Sequence, residues 1–139
     1  MRWFAALPLV ASAGLLTVGL VGADSPAPAE IAAGREIYER CAACHSLEVD
    51  RVGPRHCGLF GRRAGSVPGF AYSDAMRNSG IVWNRQTLDV FLANPLGTVP
   101  GTFMTYAGIQ NRDERTQLLS FLEMATRSQA CESVASGAP

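Results

Sequence analysis

The stretch Cys41-Ala42-Ala43-Cys44-His45 decides the fold of this chain. Thiols three positions apart lie on one face of a helical turn, and the histidine that follows presents its imidazole on the same side. Covalent attachment of a c-type haem requires this spacing, with Cys41 and Cys44 bonded to the porphyrin and His45 directed at the iron. The motif therefore predicts one haem c and a chain that carries electrons.

A Cys-x-x-Cys pair also occurs in zinc sites and in thioredoxin-like redox proteins. A zinc site needs a second pair nearby, but the other two cysteines, Cys57 and Cys131, lie far apart in the sequence. A thioredoxin motif is typical of a βαβ pattern, which this sequence lacks. Both alternatives are weaker than haem attachment.

The second axial ligand separates an electron carrier from a haem that binds gases or reacts with peroxide. A methionine ligand raises the reduction potential and closes the iron. Met104 is the candidate because it ends the loop Pro100-Gly101-Thr102-Phe103-Met104, whose proline and glycines let the backbone approach a haem. The other methionines fit less well: Met1 lies in a leader, Met76 in a short polar segment and Met124 on a C-terminal helix.

His56 is the only other histidine. It follows the attachment motif too closely to reach the far face of a haem easily. We expect it to pack in the core or to lie on the surface, with ligation as the alternative.

The chain has 139 residues, of which 47% are apolar and 17% charged, as expected for one small domain. Residues 1–23 predict a signal peptide, because an arginine precedes an apolar run that ends in Val21-Gly22-Ala23, a small-residue cleavage site. We expect a lead-in at 24–33, the haem domain at 34–127 and a tail at 128–139. Export to the periplasm fits haem c, which is attached outside the cytoplasm. An uncleaved membrane anchor is the alternative, since the apolar run is almost long enough to span a bilayer.

Helical periodicity predicts an all-α protein. We expect a helix over 29–42, a loop over 45–70, and a short helix from Ser73 that ends by Gly80. Asn84 can cap a further helix that Pro95 stops, and Asn111 can cap the last helix, which runs to about residue 127. No strand pattern competes.

Several further stretches occur in the order typical of one family: Gly53-Pro54, Gly58-Leu59-Phe60-Gly61-Arg62, Pro68-Gly69-Phe70-Ala71-Tyr72-Ser73-Asp74-Ala75, Trp83, Asn94-Pro95 and Tyr106-Ala107-Gly108-Ile109. With the haem motif and the Met104 loop, they make the chain resemble class I c-type cytochromes, the mitochondrial type and its soluble bacterial relatives. The resemblance covers about 34–127. It implies a small all-α cytochrome c fold, with helices and loops wrapped around one covalently bound haem.

The resemblance also implies roles for residues around the haem. The Pro54 carbonyl would accept a hydrogen bond from His45 and fix its ring. The haem propionates would be held by Arg62, Tyr72 and Trp83. Thr102 would be a further hydrogen-bond donor. Gly34, Tyr38 and Phe121 would form the crossing of the first and last helices.

The two remaining cysteines come close together in the fold that the resemblance implies. Cys131 follows the last helix, which in this fold returns near the loop that contains Cys57. We therefore expect a disulfide between them, which would pin the C-terminal tail. Two free thiols are the alternative.

The sequence departs from the family at several positions. Phe91 stands where the family commonly has a tyrosine, and Met76 where it often has an asparagine, which predicts a drier pocket and a shifted potential. All 12 basic residues are arginine, although the family typically carries a lysine ring around the haem edge. The loop flanking Met104 is uncharged instead, which predicts an apolar docking surface around Leu96, Val99 and Phe103.

Taken together, these features predict a monomeric periplasmic electron carrier and not an enzyme. Its partners would be redox complexes: an oxidase, a cytochrome bc-type complex, a reaction centre or a dehydrogenase. With Arg2 removed in the leader, 11 arginines remain against 12 acidic residues, a net charge of −1 before the haem propionates are counted, which argues against nucleic acid and anionic membranes as partners. The alternatives are a dedicated acceptor for one periplasmic dehydrogenase, and a haem peroxidase or gas-binding protein, which would act on a substrate or ligand at an open iron.

Overall fold

The computed structural model describes residues 25–136. In this range the chain forms helices only: α1 (Pro28–Ala42), α2 (Asp74–Arg77), α3 (Arg85–Ala93), α4 (Pro95–Thr98), α5 (Arg112–Ala125) and α6 (Gln129–Ser136). A single isolated β-bridge joins Arg63 to Val82 within the described range. The all-α fold predicted from the sequence is confirmed.

Helices α1 and α5 cross at Gly34. A Cβ atom at this position would lie only 2.0 Å from the Gln117 carbonyl oxygen, so the close approach requires glycine. The Tyr38 and Phe121 rings pack at the same crossing, with centroids 5.3 Å apart. The predicted crossing of α1 with the helix that begins after Asn111 is therefore confirmed, and it forms the centre of the hydrophobic core.

Side-chain caps begin the helices where the sequence predicted them. The Ser73 hydroxyl accepts from the Met76 N–H at the start of α2. Asn84 forms a reciprocal capping box with Thr87 at the start of α3, and Asn111 accepts two backbone N–H groups at the start of α5. Helix α3 ends at Ala93, two residues before the proline that was expected to stop it.

Two helices were not predicted. Helix α4 begins at Pro95, where the Asn94 side chain accepts from the Gly97 N–H. Helix α6 follows α5 after a short turn. Helix α5 ends at Ala125, close to the expected residue 127, but it is not the last helix, because α6 lies in the segment expected to be a tail. The buried Cys131 lies on α6 and is joined to Cys57 by a disulfide, with Cα atoms 5.1 Å apart. This bond and the packing around it hold the C-terminal segment in helical form against the rest of the fold.

The predicted signal peptide at 1–23, and Met1 with it, lie outside the described residues. Between residues 25 and 136, none of the helices combines the length and the hydropathy that a membrane span needs.

Candidate functional site

Every site residue predicted to bind the cofactor lines a single cavity of about 460 Å³. They come from the end of α1 and from the loops between helices: Cys41, Cys44, His45, Pro54, Arg62, Tyr72, Trp83, Thr102 and Met104. Most of the remaining wall is apolar, with Leu88, Leu92, Leu118 and Leu122 among its members. The fold therefore brings residues that are far apart in the sequence into the wall of one cavity.

The two thiols of the attachment motif lie at the C-terminal end of α1. Both cysteines are free, Cys41 half-buried and Cys44 exposed. Burial raises the pKa of Cys41 to about 11, so this thiol keeps its proton at neutral pH. The His45 N–H donates to the Cys41 carbonyl over 2.8 Å, which continues the helical turn and places thiols and imidazole on one wall.

His45 is oriented by the backbone that faces it. Its Nδ1–H donates to the Pro54 carbonyl over 2.8 Å, the contact that the resemblance implied. This bond leaves Nε2 as the nitrogen with a free lone pair. Desolvation lowers the pKa of His45, which favours the neutral, ligating form. A Cβ atom on Gly53 would lie 2.3 Å from the His45 ring, so Gly53 must lack a side chain. The sequence offered Gly53 only as part of a matching stretch.

His56 lies beside His45 and not at the surface. The two rings stack with centroids 4.4 Å apart and planes 23° from parallel. The Tyr38 hydroxyl lies 3.1 Å from His56 Nδ1. Desolvation lowers the pKa of His56 well below its usual value and raises that of Tyr38 to about 12. Tyr38 therefore keeps its proton and can donate it to an uncharged imidazole.

Arg62 is a half-buried cation in the cavity wall, which Arg40 also lines. Its guanidinium donates to the carbonyls of Cys57, over 2.8 Å, and Arg55, over 3.0 Å. Desolvation lowers its pKa below the ordinary arginine value. Desolvation also raises the pKa of Tyr72, so its phenol is protonated at neutral pH. Together with Trp83, these side chains line the same cavity, as the resemblance implied.

Met104 lies on an irregular stretch that links α4 to α5. Its N–H donates over 3.2 Å to the hydroxyl of Thr102, which is buried. Further along, the Ile109 N–H donates to the Leu92 carbonyl over 2.8 Å and anchors the stretch on α3. Met76 and Phe91 line the same cavity and are buried in the core, so the Met76 side chain packs inside although Asp74 and Arg77 on its short helix are exposed.

Arg115 is a residue that the sequence reasoning missed. It is almost fully buried on α5, where it donates to Asp89 on α3 over 2.7 Å and to the Ile109 carbonyl over 2.7 Å. It thereby ties the end of the Met104 stretch to two helices. In the sequence, Arg115 is one charged residue of an amphipathic helix, and this pattern does not indicate that it is buried or that it holds the loop.

The predicted apolar docking surface is corrected at one position. Phe103 is 74% exposed and Leu96 is 48% exposed, but Val99 is only 3% exposed. Val99 ends α4, where its side chain turns into the core cluster. Val52, also strongly exposed, lines the same cavity as Phe103.

The residues of the cavity fit a covalently attached haem. Two free thiols, an imidazole with one free nitrogen, a thioether and an arginine face a largely apolar space. Because Cys57 and Cys131 are bonded to each other, they are not a second ligand pair for zinc. These side chains are the groups that the attachment motif and the Met104 loop predicted around a haem c.

Comparison with known proteins agrees with this geometry. Residues 31–126 match the Cytochrome c family. Cytochrome c of Cochliobolus lunatus is 45% identical over 91 residues, which cover 63% of this chain and 84% of the relative. Cytochrome c2 of Rhodomicrobium vannielii is 42% identical over 92 residues, covering 64% of this chain and 74% of the relative.

A solved structure gives the same result. Cytochrome cH from Methylobacterium extorquens superposes with a TM-score of 0.65 at 37% identity, covering 67% of this chain and 96% of that one. The cavity, the attachment motif and these relatives agree, and we conclude that the chain belongs to the cytochrome c family and carries electrons by one haem c bound covalently through Cys41 and Cys44.

Proposed function

We propose that this chain is an exported, periplasmic electron carrier in which His45 and Met104 coordinate the haem iron. It passes single electrons between larger redox complexes and catalyses no reaction of its own. The observation that carries the proposal is the single cavity whose lining includes both ligands and both attachment cysteines. When bound, the haem supplies a one-electron Fe(III)/Fe(II) couple.

The surrounding backbone already orients the His45 ring for binding to iron. The Pro54 carbonyl holds Nδ1–H and thereby fixes the tautomer in which Nε2 is free. Gly53 leaves room for the ring at close range. The imidazole therefore needs little reorganisation to bind metal.

Met104 supplies the second ligand of the iron, which argues against a haem enzyme. The Met104 thioether would hold the iron together with His45 and would leave no open position for peroxide or a gas. Thr102 supports this loop from the buried side by accepting the Met104 N–H. Met76 is the rival, because its side chain lines the same cavity.

The haem propionates require hydrogen-bond donors or a cation where they are buried in the protein. Arg62, Tyr72 and Trp83 supply a cation, a protonated phenol and an indole N–H within one cavity, and the Thr102 hydroxyl is the further donor. A carboxylate beside Arg62 offsets the cost of keeping that cation away from water.

Partners dock where the cavity meets the surface. Phe103 lines the cavity and is exposed there, Leu96 is exposed on α4, and the chain has no lysine to steer it. Burial of these side chains then contributes more to docking than long-range attraction. An oxidase, a bc-type complex, a reaction centre or a dehydrogenase with an apolar rim fits this surface, and so does a single dedicated periplasmic dehydrogenase. The leader-like residues 1–23 and the bacterial relatives support export.

Substitution of the two cavity methionines tests the ligand assignment. Met104→Ala should abolish the weak long-wavelength absorption of the oxidised methionine–iron bond and let the reduced protein bind carbon monoxide. Met76→Ala is the matched control, because it removes a thioether from the same cavity, and should leave that absorption in place. The reverse pattern would assign the ligand to Met76.

A further inference from the structure

Four aromatic rings form a row from the helix crossing to His45. Phe121 on α5 packs against Tyr38 on α1, with centroids 5.3 Å apart. The Tyr38 ring meets His56 edge-on at 5.7 Å, and His56 stacks on His45 at 4.4 Å. The row thus connects the buried crossing of α1 and α5 to the imidazole of the attachment motif.

The bond to Pro54 does not by itself fix the plane of the His45 ring. A hydrogen bond at Nδ1 sets the direction of one edge, and the ring can still turn about that direction. A second ring stacked on its face removes this freedom. His56 is suited to the task because its backbone N–H is held by the Ser46 and Leu47 carbonyls, both at 3.0 Å.

Tyr38 holds His56 from the other side. Its hydroxyl lies 3.1 Å from His56 Nδ1, so the stacked ring is tied by hydrogen bonding at both its backbone and its side chain. Tyr38 is buried and packed in the core, which makes it a firm anchor.

We propose that His56, anchored by Tyr38, is a positioning residue that fixes the rotation of the His45 imidazole plane. The inference rests on the proposed ligation of iron by His45. The orientation of that plane controls how unpaired spin is distributed over the haem in the oxidised protein, and the paramagnetically shifted haem-methyl proton resonances report it.

The test uses proton NMR of the oxidised holoprotein with three variants. His56→Leu removes the stacked ring and should change the spread and order of the haem-methyl shifts. His56→Phe keeps a ring on His45 and should restore most of the original pattern. Tyr38→Phe keeps every ring but loses the hydroxyl, and should give a smaller change in the same direction.

Phe60→Leu is the control, because it removes a partly buried ring that does not line the cavity. It should leave the methyl pattern unchanged even if it lowers stability. A wild-type pattern in His56→Leu, or failure of His56→Phe to restore it, would overturn the inference. If His56→Leu does not fold, Tyr38→Phe decides: a shifted pattern supports the role and an unchanged one rejects it.

The wild-type protein separates this inference from the proposed function. In the reduced holoprotein, ring protons of a His45 bound to iron should be shifted strongly upfield. Their absence would reject His45 as the ligand, whereas their presence with unchanged methyl patterns in the variants would reject only the role of His56.

Discussion

The two walls of the haem cavity are held in different ways. The proximal segment, residues 41–62, carries His45 and is tied to α6 by the Cys57–Cys131 disulfide and to itself by short backbone bonds such as Cys57 N–H to the Leu47 carbonyl, 2.7 Å. The distal loop, residues 99–110, carries Met104 and contains neither cysteine of this disulfide; it is anchored by hydrogen bonds such as Ile109 N–H to the Leu92 carbonyl, 2.8 Å. The difference indicates that the Met104 side opens before the His45 side when the protein is stressed.

Removal of the disulfide should have the largest effect. The bond spans a sequence separation of 74 residues, and the chain-entropy model gives about 4 kcal/mol for such a loop. Cys57→Ser and Cys131→Ser should each lower the free energy of unfolding by about this amount, measured with denaturant on the holoprotein, and the double variant should lose no more. The haem spectrum at low denaturant should stay unchanged. A double variant as stable as the original would show that the proximal segment does not depend on this bond.

Arg115 should be the strongest anchor of the distal loop. Arg115→Met leaves Asp89 without its partner and two loop carbonyls, of Ile109 and Gln110, without a donor. We expect a loss of roughly 2–3 kcal/mol of stability. The long-wavelength absorption of the Met104 bond should disappear at lower temperature than global unfolding, followed by absorption and circular dichroism in one heating scan.

Arg40→Met is the matched control for this variant. Arg40 forms an ion pair with Glu114, but the two side chains are 49% and 33% exposed, so water and salt screen the interaction. Its removal should change stability little and leave the Met104 absorption unaffected. Equal effects of the two variants would contradict the special role of Arg115.

The smallest expected effect is the salt dependence of electron transfer, which shows on which of the two cavity walls partners dock. The distal loop exposes the uncharged Phe103, and the preceding helix α4 exposes Leu96, whereas charged side chains cluster on the proximal segment, Arg51 and Asp50 among them. If partners dock on the distal side, electron-transfer rates should change less than about threefold over a roughly tenfold range of ionic strength. Phe103→Ser should slow the reaction more than Arg51→Ser. A steep fall with added salt, measured by stopped flow, would assign docking to the proximal arginines.

Local signals made much of this fold predictable. The attachment motif, the caps at Ser73, Asn84 and Asn111, and glycine at the helix crossing each act through residues a few positions away or through one close contact. The resemblance then named the residues that line the cavity. These features depend on short-range geometry, which sequence spacing records directly.

Features set by distant partners were missed. Helix α6 mixes small and polar residues and depends on a disulfide to a segment far away in the chain. Arg115 looks like a surface residue until Asp89 and the Ile109 carbonyl are brought to it. Val99 was assigned to the surface because it belongs to the uncharged stretch that flanks Met104, but the bend after α4 turns it inward. The stacking of His56 on His45 arises only when the loop folds back.

The most direct test of the central claim is a crystal structure of the holoprotein in both oxidation states. The claim is that one haem c lies in this cavity between His45 and Met104 and changes its charge without changing its ligands. We expect His45 Nε2 and Met104 Sδ on the iron in both states, with little movement of either wall. An open position, or Met76 or His56 as a ligand in either state, would contradict it.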